Sequence, residues 1–297
     1  MKTGQRLLLL PCCGLIIWFL VTYDFSPVVG ALVMINPGIV AMLLFIQLLT
    51  FVLMSRQWMR LIQVKGHKSF LTVMNILFTS AFTEGITPSV KFGSEAVKGH
   101  MFMQRFSLGL KVIMETVAVQ KLISISALVP FLLLTVWFWW SPARAGFTVA
   151  GLIVLAGLIF AAIRVIQGRS NALGDWSLKK IWFHYRLSFV IWALFYAKGL
   201  ILSLSMGLEL SLLAVLLAAF LPYMAALTPI TPGGIGTFEG VMVMVLVAFG
   251  VTAGTAIVFA LVFRLITFWF GVTVGAGCIL WNMYHKNHVN SHEIEAV

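Results

Sequence analysis

The feature that most constrains this chain is a series of long apolar runs, near residues 7 to 23, 38 to 54, 122 to 140, 147 to 163, 187 to 206 and 253 to 281. Each is about long enough to span a hydrocarbon core of roughly 30 Å as a helix. A helix satisfies its own backbone donors and acceptors, which lipid cannot do, so these runs predict an all-α, polytopic integral membrane protein. Hydrophobic residues make up 61% of the 297 positions and charged residues 10%, far from the quarter or so that is charged in a soluble domain.

The formal charge of +11 would suit a nucleic-acid partner in a soluble chain. Here it sorts by topology instead, and no nucleic acid is expected. With Lys2 and Arg6 in the cytoplasm, two crossings return Arg56, Arg60, Lys65 and Lys68 to that side, as the positive-inside rule requires. If residues 69 to 86 crossed fully, a run of basic residues from Lys91 through Lys121, and later from Arg164 through Arg186, would break the rule. The segment 69 to about 97 is therefore expected to be re-entrant, giving six full crossings, two hairpins and both termini in the cytoplasm.

The first run reads as an uncleaved signal anchor. Cys12, Cys13 and Cys278 have no spacing suited to a disulfide framework or zinc. His285, His288 and His292 lie in the polar tail, 283–297, which reads as solvated and cytoplasmic; no metal or other cofactor is expected. There is no nucleophile set beside a histidine and no carboxylate pair at metal-ligand spacing, so the chain does not read as an enzyme.

An internal repeat organises the rest. Thr87, Pro88 and Glu95 recur as Thr231, Pro232 and Glu239, offset by 144 residues. The same shift carries the crossing at 38–54 onto 182–198 and the one at 122–140 onto 266–284. Two units, about 38–140 and 182–284, are thus expected within a single transmembrane domain spanning 1–282. The predicted topology gives them opposite orientations, an arrangement found in many transporters.

The second motif, from Leu227 to Gly240, holds Pro229 and Pro232, which remove backbone donors, and Gly233, Gly234 and Gly236, which permit positive φ. Broken backbone flanked by apolar sequence is tolerated only where protein buries it or it lines a watery cavity. Helix N–H groups released there suit an anionic headgroup, though a tight turn between packed helices is the plainer reading. Within the apolar run from Val241 to Met283, Arg264 needs a carboxylate partner, Glu95 or Glu239, or a substrate phosphate. Thr87, Pro88, Gly93, Glu95, Thr231, Pro232, Gly233, Gly234, Gly236, Glu239 and Arg264 form the candidate substrate-binding set. Glu95 and Glu239 are expected to approach each other near mid-membrane. Lys198 reads as a snorkelling side chain, Glu84 as a lesser cavity candidate, Glu115 as a partner in a solvated ion pair, and Lys98 and Arg105 as surface groups able to hold lipid phosphates.

The run Pro232-Gly233-Gly234-Ile235-Gly236-Thr237-Phe238-Glu239, Arg264 with Thr267 and Trp269, and Thr87-Pro88 with Gly93-Ser94-Glu95 resemble the transmembrane part of the lysylphosphatidylglycerol flippase/synthetase family over roughly residues 5 to 282. The resemblance implies a membrane domain with two re-entrant elements, associated with moving polar lipids between leaflets of the cell's inner membrane. It does not imply lipid lysylation. Gln120 and Ser124 depart from the acidic residues that members often carry beside a basic one, here Lys121. A lipid flippase-like transporter of a polar or anionic lipid is the leading reading. A non-transporting subunit of a lipid or glycolipid biosynthesis pathway, with a homodimer or an enzyme as partner, and a lipid-modifying enzyme are the alternatives.

Overall fold

The computed structural model describes residues 35–87, 92–139, 178–226 and 231–295, with short pieces between 146 and 164. The first apolar run, Cys12, Cys13, Pro88 and parts of the run at 147–163 lie outside the described residues. The elements are α1 Pro37–Leu61, α2 His67–Ile86, α3 Phe92–Phe106, α4 Leu110–Trp139, α5 Leu178–Ser205, α6 Leu212–Ala225, a 3₁₀ turn Pro232–Gly234, α7 Thr237–Ala248, α8 Ala253–Arg264, a π-helical turn Leu265–Trp269 and α9 Phe270–Glu295. The protein is all-α and polytopic.

Local sequence explains the ends. Pro37 opens α1, with the Asn36 side chain accepting from the Gly38 N–H at 2.8 Å. Ser211 and Thr252 cap α6 and α8 in the same way. The π turn begins directly after Arg264, and such turns cluster at functional positions.

The offset of 144 pairs the helices α1 to α4 with α5 to α9. It carries 37–61 onto α5, 67–86 onto α6, 92–106 onto α7 and 110–139 onto the α8–α9 rod. It even maps the positive φ of Gln63 (59°) onto that of Gly207 (67°). The mates α1 and α5 run antiparallel: Gln57 Nε2 donates to Ser188 Oγ (2.7 Å) and to the His184 carbonyl (3.2 Å). Further along, Lys198 Nζ donates to Gln47 Oε1. A second set of bonds repeats the symmetry within one residue. Gln47 Nε2 donates to the Thr267 carbonyl at 3.1 Å, and Trp192 Nε1 to the Ser124 carbonyl at 3.0 Å. The repeat is inverted because its mates point in opposite directions.

Among the described residues, five helical stretches are long and apolar enough to cross a membrane: 37–61, 67–86, 110–131, 179–205 and 253–284. Four match expected crossings. The helix α2 is the difference, since its 20 residues amount to about 30 Å at 1.5 Å per residue, a full span where half a hairpin is expected. Its exposed first residues, His67 and Lys68, are polar, and its far end stops inside the protein against the second motif. The mates α6 and α7, with 14 and 12 residues, reach only about 20 Å each and form a hairpin too short to cross.

The α2–α9 seam is built on small residues, as close approach of helices in lipid requires. A Cβ at Gly275 would lie 2.9 Å from the Phe82 Cβ and would also run into the Phe78 carbonyl; at Gly271 it would sit 3.3 Å from the Ala81 Cβ. Gly275→Leu should therefore push the two helices apart, with a cost in the 1–3 kcal/mol range of overpacking or beyond it. Thermal unfolding in detergent checks this; an unshifted midpoint would mean that the seam is looser than described.

Candidate functional site

The two broken segments meet. The Gly233 N–H donates to the Thr87 carbonyl at 3.4 Å, joining the end of α2 to the second motif. On the first side, Gly93 lets the chain fold back: a Cβ there would fall 2.9 Å from the Thr87 Cγ2. On the second side, Gly233, Gly234 and Gly236 all have positive φ, at 61°, 68° and 84°, the freedom expected of them. The Thr231 hydroxyl is buried without a hydrogen-bond partner among the described residues, and Pro232 opens the 3₁₀ turn.

Each unit then sets a glutamate against a cation from its next helix. Glu239, in the first turn of α7, accepts from the Gly236 N–H at 2.7 Å and lies 3.2 Å from Arg264 Nε. Arg264 donates to the Gly233 carbonyl and lies between the rings of Phe268 (4.0 Å) and Phe238 (4.6 Å). Its planar guanidinium suits such a stacked and forked position better than an ammonium would. In the first unit Glu95 holds Lys98 and Lys121, each at 2.5 Å. Glu95 and Glu239 are symmetry mates, and their cations lie at mates within one residue of each other, Lys121 and Arg264.

Arg264 therefore pairs with Glu239, one of its two expected partners. It is not shared with Glu95, which takes two lysines of its own. Lys98 is not a surface group: it is 6% exposed and sits 4.7 Å from the Trp58 ring centroid. Lys198 does not snorkel, because its ammonium stays inside on Gln47 and the residue is 1% exposed.

A cavity of about 250 Å³ lies at the seam of the two units. Glu84, Glu95, Lys98, Lys121 and Lys198 line it, along with Gln47, Thr50, Ser80, Ser94 and Tyr223. A smaller one of about 90 Å³ adjoins it, bounded by Glu84, Gly233, Arg264, Thr267 and Phe268. Of the sequence-predicted residues, Glu95 lines the larger chamber and Gly233 and Arg264 the smaller; Thr87, Gly93, Gly234, Gly236 and Glu239 shape the backbone around them. Sequence reading passed over Gln47, Lys98 and Lys198 as site residues. For Gln47 and Lys198 the only signal was polarity inside apolar helix, which a single sequence does not separate from a snorkelling group, and Lys98 lies on a polar helix that reads as a surface one.

Fold and site together define a polytopic α-helical membrane protein whose two antiparallel repeats enclose a charged cavity. The chain belongs to the family described as the lysylphosphatidylglycerol synthase TM region, whose profile matches residues 6–275. It is also similar to a UPF0104 membrane protein of Methanothermobacter thermautotrophicus, at 29% identity over 93 residues covering 31% of this chain and 28% of that one. A UPF0104 membrane protein of Pyrococcus horikoshii is 33% identical over 95 residues, 32% of this chain and 28% of the relative. The chain thus aligns with less than a third of the length of these curated relatives.

Proposed function

We propose that this protein moves a polar, anionic lipid between membrane leaflets, with the headgroup passing through the cavity at the seam of the two units while the acyl chains stay in lipid. The observation that carries this reading is Lys198. It is buried, it faces the cavity, its hydrogen-bond partner is the neutral amide of Gln47, and among the described residues it forms no ion pair with a carboxylate. A buried cation without a counter-charge is costly, and an anionic headgroup would supply that charge. Lys98 and Lys121 are held by Glu95, so they shape the cavity's field while Lys198 meets the ligand. Arg264 holds the broken loop in place through Gly233 and Glu239. The cell inner membrane, with the basic ends of α1 and α5 in the cytoplasm, is the location this reading assigns.

Lys198→Met tests it. In proteoliposomes made with extracted native lipids, the wild-type protein should shift one lipid class between leaflets, and the variant should do so at least about tenfold more slowly, a loss of about 1.4 kcal/mol or more. Its melting temperature should hold or rise, since a buried charge has become an apolar side chain of similar length. Undiminished lipid movement by Lys198→Met would remove Lys198 from the route.

A further inference from the structure

A separate cavity, much larger and open to the surface, lies between the C-terminal end of α1 and the N-terminal end of α5 and measures about 1370 Å³. Six basic residues line it: Arg56 and Arg60 from α1, Lys65 from the turn that follows it, and Lys179, Lys180 and Arg186 from α5, with no carboxylate among the described residues that line it. It shares no lining residue with the central cavity; the Gln57–Ser188 hydrogen bond stands between them.

Loop cations obeying the positive-inside rule need only lie on the right side of the membrane. These do more. The fold draws residues over 100 positions apart onto one hollow, and the Arg60 guanidinium lies 4.1 Å from the Phe183 ring centroid. Its wall also carries apolar side chains, Leu53, Met59 and Leu187. The pseudo-symmetry supplies an internal comparison, for the repeat maps the six cations onto Leu200, Leu204, Glu209, Ile35, Asn36 and Met42. Because the repeat is inverted, those mates lie at the opposite face, so the contrast fixes the side of the membrane, and it is the gathering of the six onto one hollow that marks a site.

We propose that this hollow is a binding site for a phosphate-bearing anionic group of more than one negative charge, with the apolar wall favouring a lipid headgroup over a soluble phosphate. Basic pockets at the ends of membrane helices hold such headgroups by charge with little directional demand. The site is separate from the transport route and does not depend on it.

Native mass spectrometry of the full chain, released from nanodiscs of phosphatidylcholine with a minor fraction of cardiolipin, tests the proposal against two sets of substitutions. The set R60Q/K179Q/K180Q removes three cations from the hollow; K68Q/K111Q/R164Q removes three from exposed positions outside it. With each cation contributing about a factor of five near an anionic headgroup, the first set should weaken cardiolipin retention about 100-fold and the second should change it little. A parallel titration with soluble pyrophosphate separates the sources: binding lost only in the first set, with no preference for cardiolipin, assigns the same site to a soluble phosphate. Equal losses in both sets, or no loss in the first, would overturn the site. The single substitutions R56Q and K179Q, each at an exposed position, carry the same comparison should the triple variant not be recovered folded. Transport is not read in this experiment, so its failure leaves the central route standing, and the reverse.

Discussion

Gly234→Val is expected to abolish lipid movement while the protein still inserts into the membrane. Gly234 has a φ of 68°, a conformation costing an ordinary L-residue roughly 1–2 kcal/mol and a β-branched one more. Space is also missing, because a Cβ there would lie 2.7 Å from the Cβ of Ala226, at the end of α6. Relief requires the turn to open, which breaks the Gly234 N–H bond to the Thr231 carbonyl (3.1 Å) and the Thr237 hydroxyl bond to the Gly234 carbonyl (3.0 Å). Both sit beside the contact that joins the two hairpin tips. Insertion depends on the hydrophobicity of the long helices and not on this turn. Gly234→Ala meets the same backbone conflict with fewer atoms and should be intermediate. The measurement is lipid movement in proteoliposomes beside the yield of membrane-integrated protein; a fully active, normally folded Gly234→Val variant would remove the role.

Arg264→Met is expected to destabilise the protein by about 3–5 kcal/mol, the range for leaving one partner of a buried ion pair uncompensated. Two losses combine: Glu239 no longer has its cation, and the Gly233 carbonyl no longer has its donor. Arg264→Lys keeps the charge without the fork and should recover only part of the loss. A simple salt bridge would survive exchange of its ends, but Glu239→Arg with Arg264→Glu should not restore folding. Arginine at 239 cannot accept from the Gly236 N–H, and glutamate at 264 cannot donate to the Gly233 carbonyl. Detergent melting curves of the three variants decide this. Wild-type stability in the exchanged protein would show that the pair acts through charge alone.

The parts of this architecture visible in the sequence are those written in local chemistry. The repeat shows because a broken helix inside lipid needs proline and glycine, and both units need the break at the same place. The positive φ values of Gly233, Gly234 and Gly236 follow from the same residues, and Arg264 demanded a carboxylate because a lone guanidinium in apolar helix is too costly. What was hidden depends on contacts between helices far apart in the chain. Lys198 finds Gln47 across 151 positions, and nothing near either residue marks the other. Lys98 reads as a surface group because its neighbours in sequence are polar, yet the turn at Gly93 folds α3 back and buries it beside Glu95. Arg264 meets Glu239, one of its two expected partners, while the two lysines that hold Glu95 went unread, because the symmetry that pairs the glutamates also gives each unit cations of its own.

Photo-crosslinking from position 223 tests the central claim most directly. Tyr223 borders both internal cavities, and a benzoylphenylalanine in its place keeps an aromatic body there. After illumination in native membranes, the account predicts a lipid adduct whose fragmentation places the new bond on the headgroup, and its loss in Lys198→Met. The same probe at Leu134, 51% exposed, should capture acyl chains only. Acyl-chain adducts alone from position 223, or headgroup adducts indifferent to Lys198→Met, would contradict a headgroup route through the seam.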